Sequence, residues 1–180
     1  NYYKSTGQEP PQITIRPALS KDFPVLLQIC KDRSQFDATR AGVDKSNLPT
    51  FESRLETMTQ SLVGWLTAGQ CFLMEANGRP GAWFVLQLPA PDDYPAANKR
   101  KGGARATAST PLPRATMRGP YTDPHFAGAS KHMLAFCKAC CPRLAIEVPL
   151  DDPLSRFRLA HWLDQGFVLD VLTSSGRAIC

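Results

Sequence analysis

The chain lacks any long apolar run. No stretch approaches the ~20 consecutive apolar residues that a membrane-spanning helix needs, so the sequence predicts no membrane segment. It also lacks an initiator Met and a signal peptide, a pattern typical of an excised domain or a processed chain. Its 180 residues are 43% hydrophobic and 21% charged. This composition predicts a soluble globular protein with one sizeable core.

The sequence contains too few ligands for a metal site. Cys137 and Cys140 have the C-x-x-C spacing, but no second C-x-x-C and no paired His supplies the remaining ligands of a zinc ion. The same residues continue an amphipathic helix, in which Cys behaves as a small hydrophobe. We therefore expect structural thiols, no metal, and a reducing, cytoplasmic compartment.

The chain carries a net positive charge, but its most basic run, from Lys99 to Arg118, contains no aromatic residue. The net charge is +5, which suits a polyanionic ligand or an acidic partner protein. Residues 89–120 form a basic, proline-rich insertion, which is either an arm that touches a polyanion or a solvated mobile segment. Because its basic run, from Lys99 to Arg118, has no interleaved aromatic residues, the insertion gives little support to nucleic-acid binding.

Hydrophobic periodicity and turn signals predict an α/β order of elements. Residues 1–11 form a polar leader or linker, and residues 12–180 form a single domain. The first helix follows a cap at Ser20, and a loop from Ala41 to Thr50 leads to the second. A hairpin turns at Asn77-Gly78. Further strands are predicted at Ala115–Thr122, Leu144–Val148, Val168–Thr173 and Ala178–Ile179, with helices after Ser130 and from Pro153 to Gln165.

The stretch from Tyr121 to Cys141 combines a strand end, a turn at Asp123-Pro124, a loop of small residues and a helix. Backbone N–H groups at a helix N-terminus have no intrahelical partners, and the helix dipole favours negative charge there. Gly128 would allow a ligand to come close to the backbone. The stretch therefore predicts an anion-binding site.

Three segments resemble the GCN5-related N-acetyltransferase (GNAT) family. The loop HFAGAS is similar to the family's acyl-coenzyme A loop, Arg/Gln-x-x-Gly-x-Gly/Ala. Gly128 matches this pattern, whereas His125 and Ser130 replace its first and last positions. ITIRPALSKDFPVLLQI resembles the first strand and helix. PLSRFRLAHWLDQGF resembles the closing helix before Gly-Phe. The resemblance covers residues 12–180 and implies a mixed, mostly antiparallel sheet of six or seven strands flanked by helices.

The resemblance implies transfer of an acyl group from acetyl-CoA or another acyl-CoA to a small-molecule or protein amine. Glu147, in the fifth strand, is then the candidate base. His161 is a candidate acid, because Trp162 stands where the family often has a Tyr that protonates the thiolate. The fourth strand of the family carries a bulge, beside which a backbone N–H polarises the thioester. Gly119-Pro120 interrupts the corresponding strand here and either marks that bulge or shortens the strand. The implied cofactor-binding residues are Tyr121, Thr122, His125, Phe126, Ala127, Gly128, Ala129, Ser130, Lys131 and Ser155.

Two other functions remain open at this stage. Related domains of polyketide synthases act on acyl groups of acyl-CoA or of a carrier protein's pantetheine arm, by acyl transfer or decarboxylation. A domain with altered motif residues could also bind acyl-CoA or a protein without turnover.

Overall fold

A computed structural model of the chain describes residues 11–40, 48–89, 114–149, 155–172 and 177–179. Residues 1–10 of the predicted leader, 41–47 of the predicted loop and 90–113 of the predicted insertion lie outside this range. The described elements, in chain order, are β1 (Ile13–Pro17), a 3₁₀ turn (Ser20–Asp22), α1 (Phe23–Arg40), α2 (Leu48–Thr67), β2 (Cys71–Ala76), β3 (Arg79–Gln87), β4 (Ala115–Thr122), α3 (Ala129–Cys140), β5 (Leu144–Pro149), α4 (Ser155–Asp164), β6 (Val171–Leu172) and β7 (Arg177–Ile179).

The strands of the described residues follow the order β1-β2-β3-β4-β5-β7-β6. Neighbouring strands β1 and β2, β2 and β3, β5 and β7, and β6 and β7 are antiparallel, whereas β4 and β5 are parallel. The predicted fold class, a mixed and mostly antiparallel sheet with helices, is thus confirmed. Strand β6 is shorter than predicted, and α2 begins at Leu48 rather than after Thr50. None of the described helices is long and apolar enough to cross a membrane.

The chain divides into two compact units, which are described separately. The first comprises Asn1–Val85 and Gly119–Leu134. In it, Asn77 and Gly78 have φ of 50° and 77°, so the predicted two-residue hairpin turn between β2 and β3 is confirmed. Trp83 of β3 is fully buried, and its indole Nε1 donates a hydrogen bond to the carbonyl of Leu26 in α1, at 3.0 Å. The buried core around it consists of Ala18, Leu26, Ile29, Cys30, Leu62, Cys71, Leu73, Trp83 and Val85.

The start of α1 is stabilised by Asp22 rather than by the predicted cap Ser20. The Asp22 carboxylate accepts a hydrogen bond from the backbone N–H of Leu19 at 2.8 Å. It also accepts two from the Arg16 guanidinium, at 2.8 and 3.0 Å. The same guanidinium contacts Glu75 on β2 at 3.0 Å. The hydrogen bonds from Arg16 lower the pKa of Asp22 from 3.8 to about 2. Ser20 is the first residue of the 3₁₀ turn, and the carboxylate of Asp22, its last residue, bonds the backbone N–H of Leu19 before the turn.

The second unit comprises Leu86–Arg118 and Ala135–Cys180. In it, α4 ends in a Schellman motif. Gly166, with φ of 89°, donates to the carbonyl of Leu163 at 2.9 Å, and the N–H of Phe167 donates to the carbonyl of Trp162 at 3.2 Å. The rings of Trp162 and Phe167 meet edge to face with centroids 5.6 Å apart. This geometry confirms the predicted helix stop at Gly166.

The cysteines divide between buried and exposed environments. Burial raises the pKa of Cys30, Cys71 and Cys137 to about 12 in each case. Cys140, the second residue of the C-x-x-C spacing, is exposed. The two thiols of that spacing therefore lie in different environments, although positions three apart are neighbours on a helix surface, and Cys140 is the last residue of α3. Within the described ranges, no group of three His, Cys, Asp or Glu could hold a metal ion.

Candidate functional site

Strand β4 continues through Gly119-Pro120 to Thr122, so this dipeptide does not shorten the strand. Gly119 has φ of 103°, and its peptide bond to Pro120 is cis. A Cβ on Gly119 would lie 3.1 Å from the backbone nitrogen of Tyr121 and 3.3 Å from the carbonyl oxygen of Trp83. The backbone thus needs glycine here both for its φ and for space, and β4 reaches Thr122 in this unusual conformation.

The C-terminal end of β4 is anchored by side chains of the first unit. The ring of Tyr121 stacks on Trp83 with centroids 4.1 Å apart and an interplanar angle of 26°. The hydroxyl of Thr122 accepts a hydrogen bond from Nη1 of Arg33 in α1 at 3.1 Å. Both predicted site residues are therefore held in place by buried or partly buried neighbours.

The loop after β4 is closed by hydrogen bonds of Asp123. Its carboxylate accepts from the backbone N–H of His125 at 2.8 Å, and its carbonyl accepts from the N–H of Phe126 at 3.0 Å. Its own N–H donates to the carbonyl of Gly81 in β3 at 2.8 Å. Asp is well suited to this position because its short carboxylate can bond the backbone two residues further on. Asp123 thus fixes where the loop starts.

Phe126 anchors the middle of the loop against β3. A Cβ built on Gly81 would lie only 2.0 Å from Cδ2 of Phe126, so the ring occupies the space that any other residue at position 81 would fill. Gly81 is itself buried. The sequence indicated neither contact, since Gly81 resembled an ordinary glycine near a hairpin.

Helix α3 begins directly after Gly128, whose φ is 80°. The Gly128 carbonyl accepts the first helical hydrogen bonds, from Lys131 at 3.1 Å and from His132 at 3.3 Å. The N–H groups of Ala129 and Ser130 precede these bonds and have no partner within the helix. Ala127, Gly128 and Lys131 are exposed, and the imidazole of His132 lies beside Gly128. This terminus can receive an anion close to its backbone.

The second unit contains Glu147, the candidate base, in an ion pair. Its Oε2 atom lies 2.6 Å from Nε of Arg118, and the two side chains are 13% and 23% exposed. The parallel ladder of β4 and β5 pairs Ala115 with Leu144 and ends with Met117 opposite Ile146. Arg118 and Glu147 are the next residues on their strands, and the alternation of side chains places them on the same face of the sheet.

The other predicted residues of this unit lie on α4. His161 is exposed to solvent, whereas the neighbouring Trp162 is buried, with 4% of its surface exposed. Trp162 contacts the ring of His161 at 5.1 Å between centroids. Its burial in the Schellman motif shows that it packs against Phe167. Ser155 is the first residue of α4, and its side chain is outside the described part of the structure.

The structure thus brings Tyr121 through Lys131 together in one unit and places Glu147 and His161 in the other. Besides the contacts of Gly81, sequence reasoning missed the partners of two arginines. Arg118 was counted with the basic insertion, although its position after Met117 on a strand could have suggested a partner on β5. Arg33 gave no signal, because its bond to Thr122 joins residues that are distant in the chain.

No protein-family model matches the chain, and no curated protein is similar to it in sequence. Solved structures share its fold. The PaiA N-acetyltransferase of Thermoplasma acidophilum, in complex with coenzyme A, has a TM-score of 0.62 and 14% identity, over 93% of this chain and 96% of that one. A GNAT-family acetyltransferase of Streptococcus agalactiae has a TM-score of 0.59 and 10% identity, over 95% of both chains. A GCN5-related N-acetyltransferase of Ralstonia eutropha has a TM-score of 0.52 and 16% identity, over 91% and 97%.

Proposed function

We propose that this chain, which has the fold of the GCN5-related N-acetyltransferases, transfers an acyl group from acetyl-CoA or another acyl-CoA to an amine. The observation that carries the proposal is the N-terminus of α3. There Gly128 exposes the backbone, and the N–H groups of Ala129 and Ser130 precede the first helical bonds. Such a terminus suits a diphosphate, because it offers directed donors and a favourable dipole without a side chain in the way.

The loop contributes further donors to the proposed diphosphate site. Lys131 supplies a positive charge in the first turn of the helix, and His132 supplies an imidazole beside Gly128. His125 supplies a second, exposed imidazole earlier in the loop. Phe126 and Asp123 fix the loop on Gly81, so little conformational freedom would be lost when a ligand binds. Ser155 remains a candidate contact for the coenzyme, by resemblance alone.

The proposed reaction needs no covalent enzyme intermediate. The amine nitrogen forms a bond to the thioester carbon, and the C–S bond breaks with its electron pair on sulfur. The proton leaving nitrogen passes to Glu147, directly or through water, and the thiolate is protonated by His161 or by solvent. Backbone N–H groups near Tyr121 and Thr122 are the candidates for polarising the thioester carbonyl.

One observation favours a second candidate function, binding of acyl-CoA without turnover. Trp162 cannot act as an acid, and its burial against Phe167 gives it a structural role in place of the catalytic Tyr that the resemblance would require. Loss of that acid alone should slow the reaction rather than end it, because a thiol of pKa about 8.5 is a tolerable leaving group at neutral pH.

Calorimetry with coenzyme A tests the proposed site. Gly128→Glu should lower the affinity by at least about 100-fold, because a carboxylate would occupy the anion site, and it should add about 1–2 kcal/mol of backbone strain. Gly166→Glu is the matched control. Gly166 also has a positive φ and open space around it, so the variant should lose similar stability and keep its affinity for coenzyme A. Equal affinity of the Gly128→Glu variant and the parent would refute the site.

Turnover is measured separately, as thiol release from acetyl-CoA with a panel of amines. Thiol release that depends on the amine supports the transferase. Coenzyme A binding without release for any donor and amine supports the binding module, and absence of both rejects the two functions together.

A further inference from the structure

We propose that Arg118 is a positioning residue for the reaction: its positive charge holds the carboxylate of Glu147 at the place where that carboxylate receives the proton of the amine. The inference rests on the proposed function, in which Glu147 is the base. It assigns Arg118 a role that the sequence did not suggest, since the residue stood at the end of a basic, proline-rich stretch.

The sheet register places the two residues side by side. The parallel ladder of β4 and β5 ends with Met117 opposite Ile146, both fully buried. Arg118 and Glu147 are the next residues along the two strands. Because side chains alternate along a strand, they lie on the opposite face of the sheet from Met117 and Ile146. Strand β5 continues from Glu147 to Pro149 paired with β7, so the backbone of Glu147 is fixed opposite Ile179. Its side chain then contacts that of Arg118 on β4.

The contact is close and shielded from water. Nε of Arg118 lies 2.6 Å from Oε2 of Glu147, with 23% and 13% of the two side chains exposed. Exposed ion pairs hold their partners weakly, because water screens the charges and the side chains remain mobile. The two contacting atoms, Nε of Arg118 and Oε2 of Glu147, are both buried, so the opposite charges attract with little screening and limit how far the carboxylate can move.

A constrained base accelerates proton transfer because the acceptor oxygen must lie within hydrogen-bond distance of the proton. A displacement of about 1 Å can reduce a rate by about 10²-fold. Without Arg118, the backbone of Glu147 would keep its place on β5, but the carboxylate would lose the positive charge that it contacts. We therefore expect Arg118→Gln to lower kcat by about 10- to 100-fold, with KM for the acyl-CoA and affinity for coenzyme A nearly unchanged.

A double-mutant cycle tests the coupling. In the parent, Arg118→Gln should slow turnover. In a Glu147→Gln background the same substitution should have almost no further effect, since the group that Arg118 holds in place is already neutral. The double variant also places two neutral, hydrogen-bonding side chains at the pair, so it should fold even if Arg118→Gln alone is unstable. Arg118→Lys should recover part of the lost kcat, because it keeps the charge beside the carboxylate.

Arg114→Gln is the matched control. Arg114 immediately precedes β4 and pairs with Asp170, but both side chains are exposed, at 40% and 48%. This variant changes the net charge equally and should leave kcat unchanged. Equal slowing by Arg118→Gln in the parent and in the Glu147→Gln background would overturn the proposal, as would a Lys variant no faster than the Gln variant. Absence of amine-dependent turnover in the parent would instead reject the transferase function itself, on which the inference rests.

Discussion

The ring of Phe126 fills the space above Gly81, 2.0 Å from the point where a Cβ at position 81 would lie. The backbone of the same glycine accepts a hydrogen bond from Asp123. Two residues of the loop that precedes α3 are thus fixed on one residue of β3. The geometry of the candidate diphosphate site depends on a glycine that lies 47 residues before Gly128 in the chain and contributes no side chain.

Gly81→Ala should therefore destabilise the protein by about 1–3 kcal/mol and weaken coenzyme A binding, because Phe126 must leave its position and move the loop. Chemical unfolding and calorimetry measure the two effects. Phe126→Ala should cost less stability in the Gly81→Ala background than in the parent, since the ring is already displaced there.

Gly64→Ala is the control for this prediction. Gly64 lies in α2 with no heavy atom within 4 Å of a built Cβ, so alanine should be neutral or stabilise the protein by about 0.5–1 kcal/mol. A Gly81→Ala variant that behaves like Gly64→Ala would show that Phe126 moves aside at no cost.

Glu147→Gln should lower kcat by about 10²- to 10⁴-fold while affinity for coenzyme A stays nearly constant, because a general base contributes a factor of this size. Steady-state kinetics and calorimetry separate the two quantities. Asp170→Asn, at an exposed carboxylate of the same unit, should retain the parent rate. A Glu147→Gln variant as fast as the parent would show that the base lies elsewhere or is solvent.

Asp22 should contribute stability that depends on pH. Its pKa is about 2 in the folded protein against an ordinary value of 3.8, so its stabilising contribution is complete above pH 3.8 and is lost as the pH falls toward 2. Asp22→Asn should cost on the order of 1–2 kcal/mol at pH 6, since Arg16 is partly exposed to solvent, and distinctly less near pH 2.5.

Urea unfolding at the two pH values measures this difference. Asp32→Asn is the control, because Asp32 accepts an exposed hydrogen bond from Gln28 and should matter little at either pH. A cost of Asp22→Asn that is equal at pH 6 and pH 2.5 would contradict the assigned pKa.

Cys140 should be the first described thiol to react with a maleimide in the folded protein. It is exposed, whereas burial raises the pKa of Cys30, Cys71 and Cys137 to about 12 and leaves almost no thiolate at neutral pH. Peptide mass spectrometry before and after denaturation identifies the modified residues. Modification of Cys71 under native conditions would show that β2 opens to solvent.

The sequence alone determined the features that depend on neighbouring residues. Asn77-Gly78 predicts its hairpin because both residues tolerate positive φ, and Gly166 predicts the end of α4 for the same reason. Alternating and helical periodicities predicted the order of elements, and the small-residue loop before α3 indicated an anion site. The residue that stabilises the start of α1 was predicted less accurately, because two nearby polar side chains could each bond the backbone there. Asp22, not Ser20, makes this bond.

Only the tertiary structure decided which distant residues meet. The pairing of Arg118 with Glu147 requires a parallel register between β4 and β5, and a shift of one residue would place the two side chains on opposite faces. The contact of Phe126 with Gly81 and the bond from Arg33 to Thr122 likewise join separate elements. Local sequence does not determine strand register or side-chain packing, because both result from the simultaneous burial of many side chains that lie far apart in the chain.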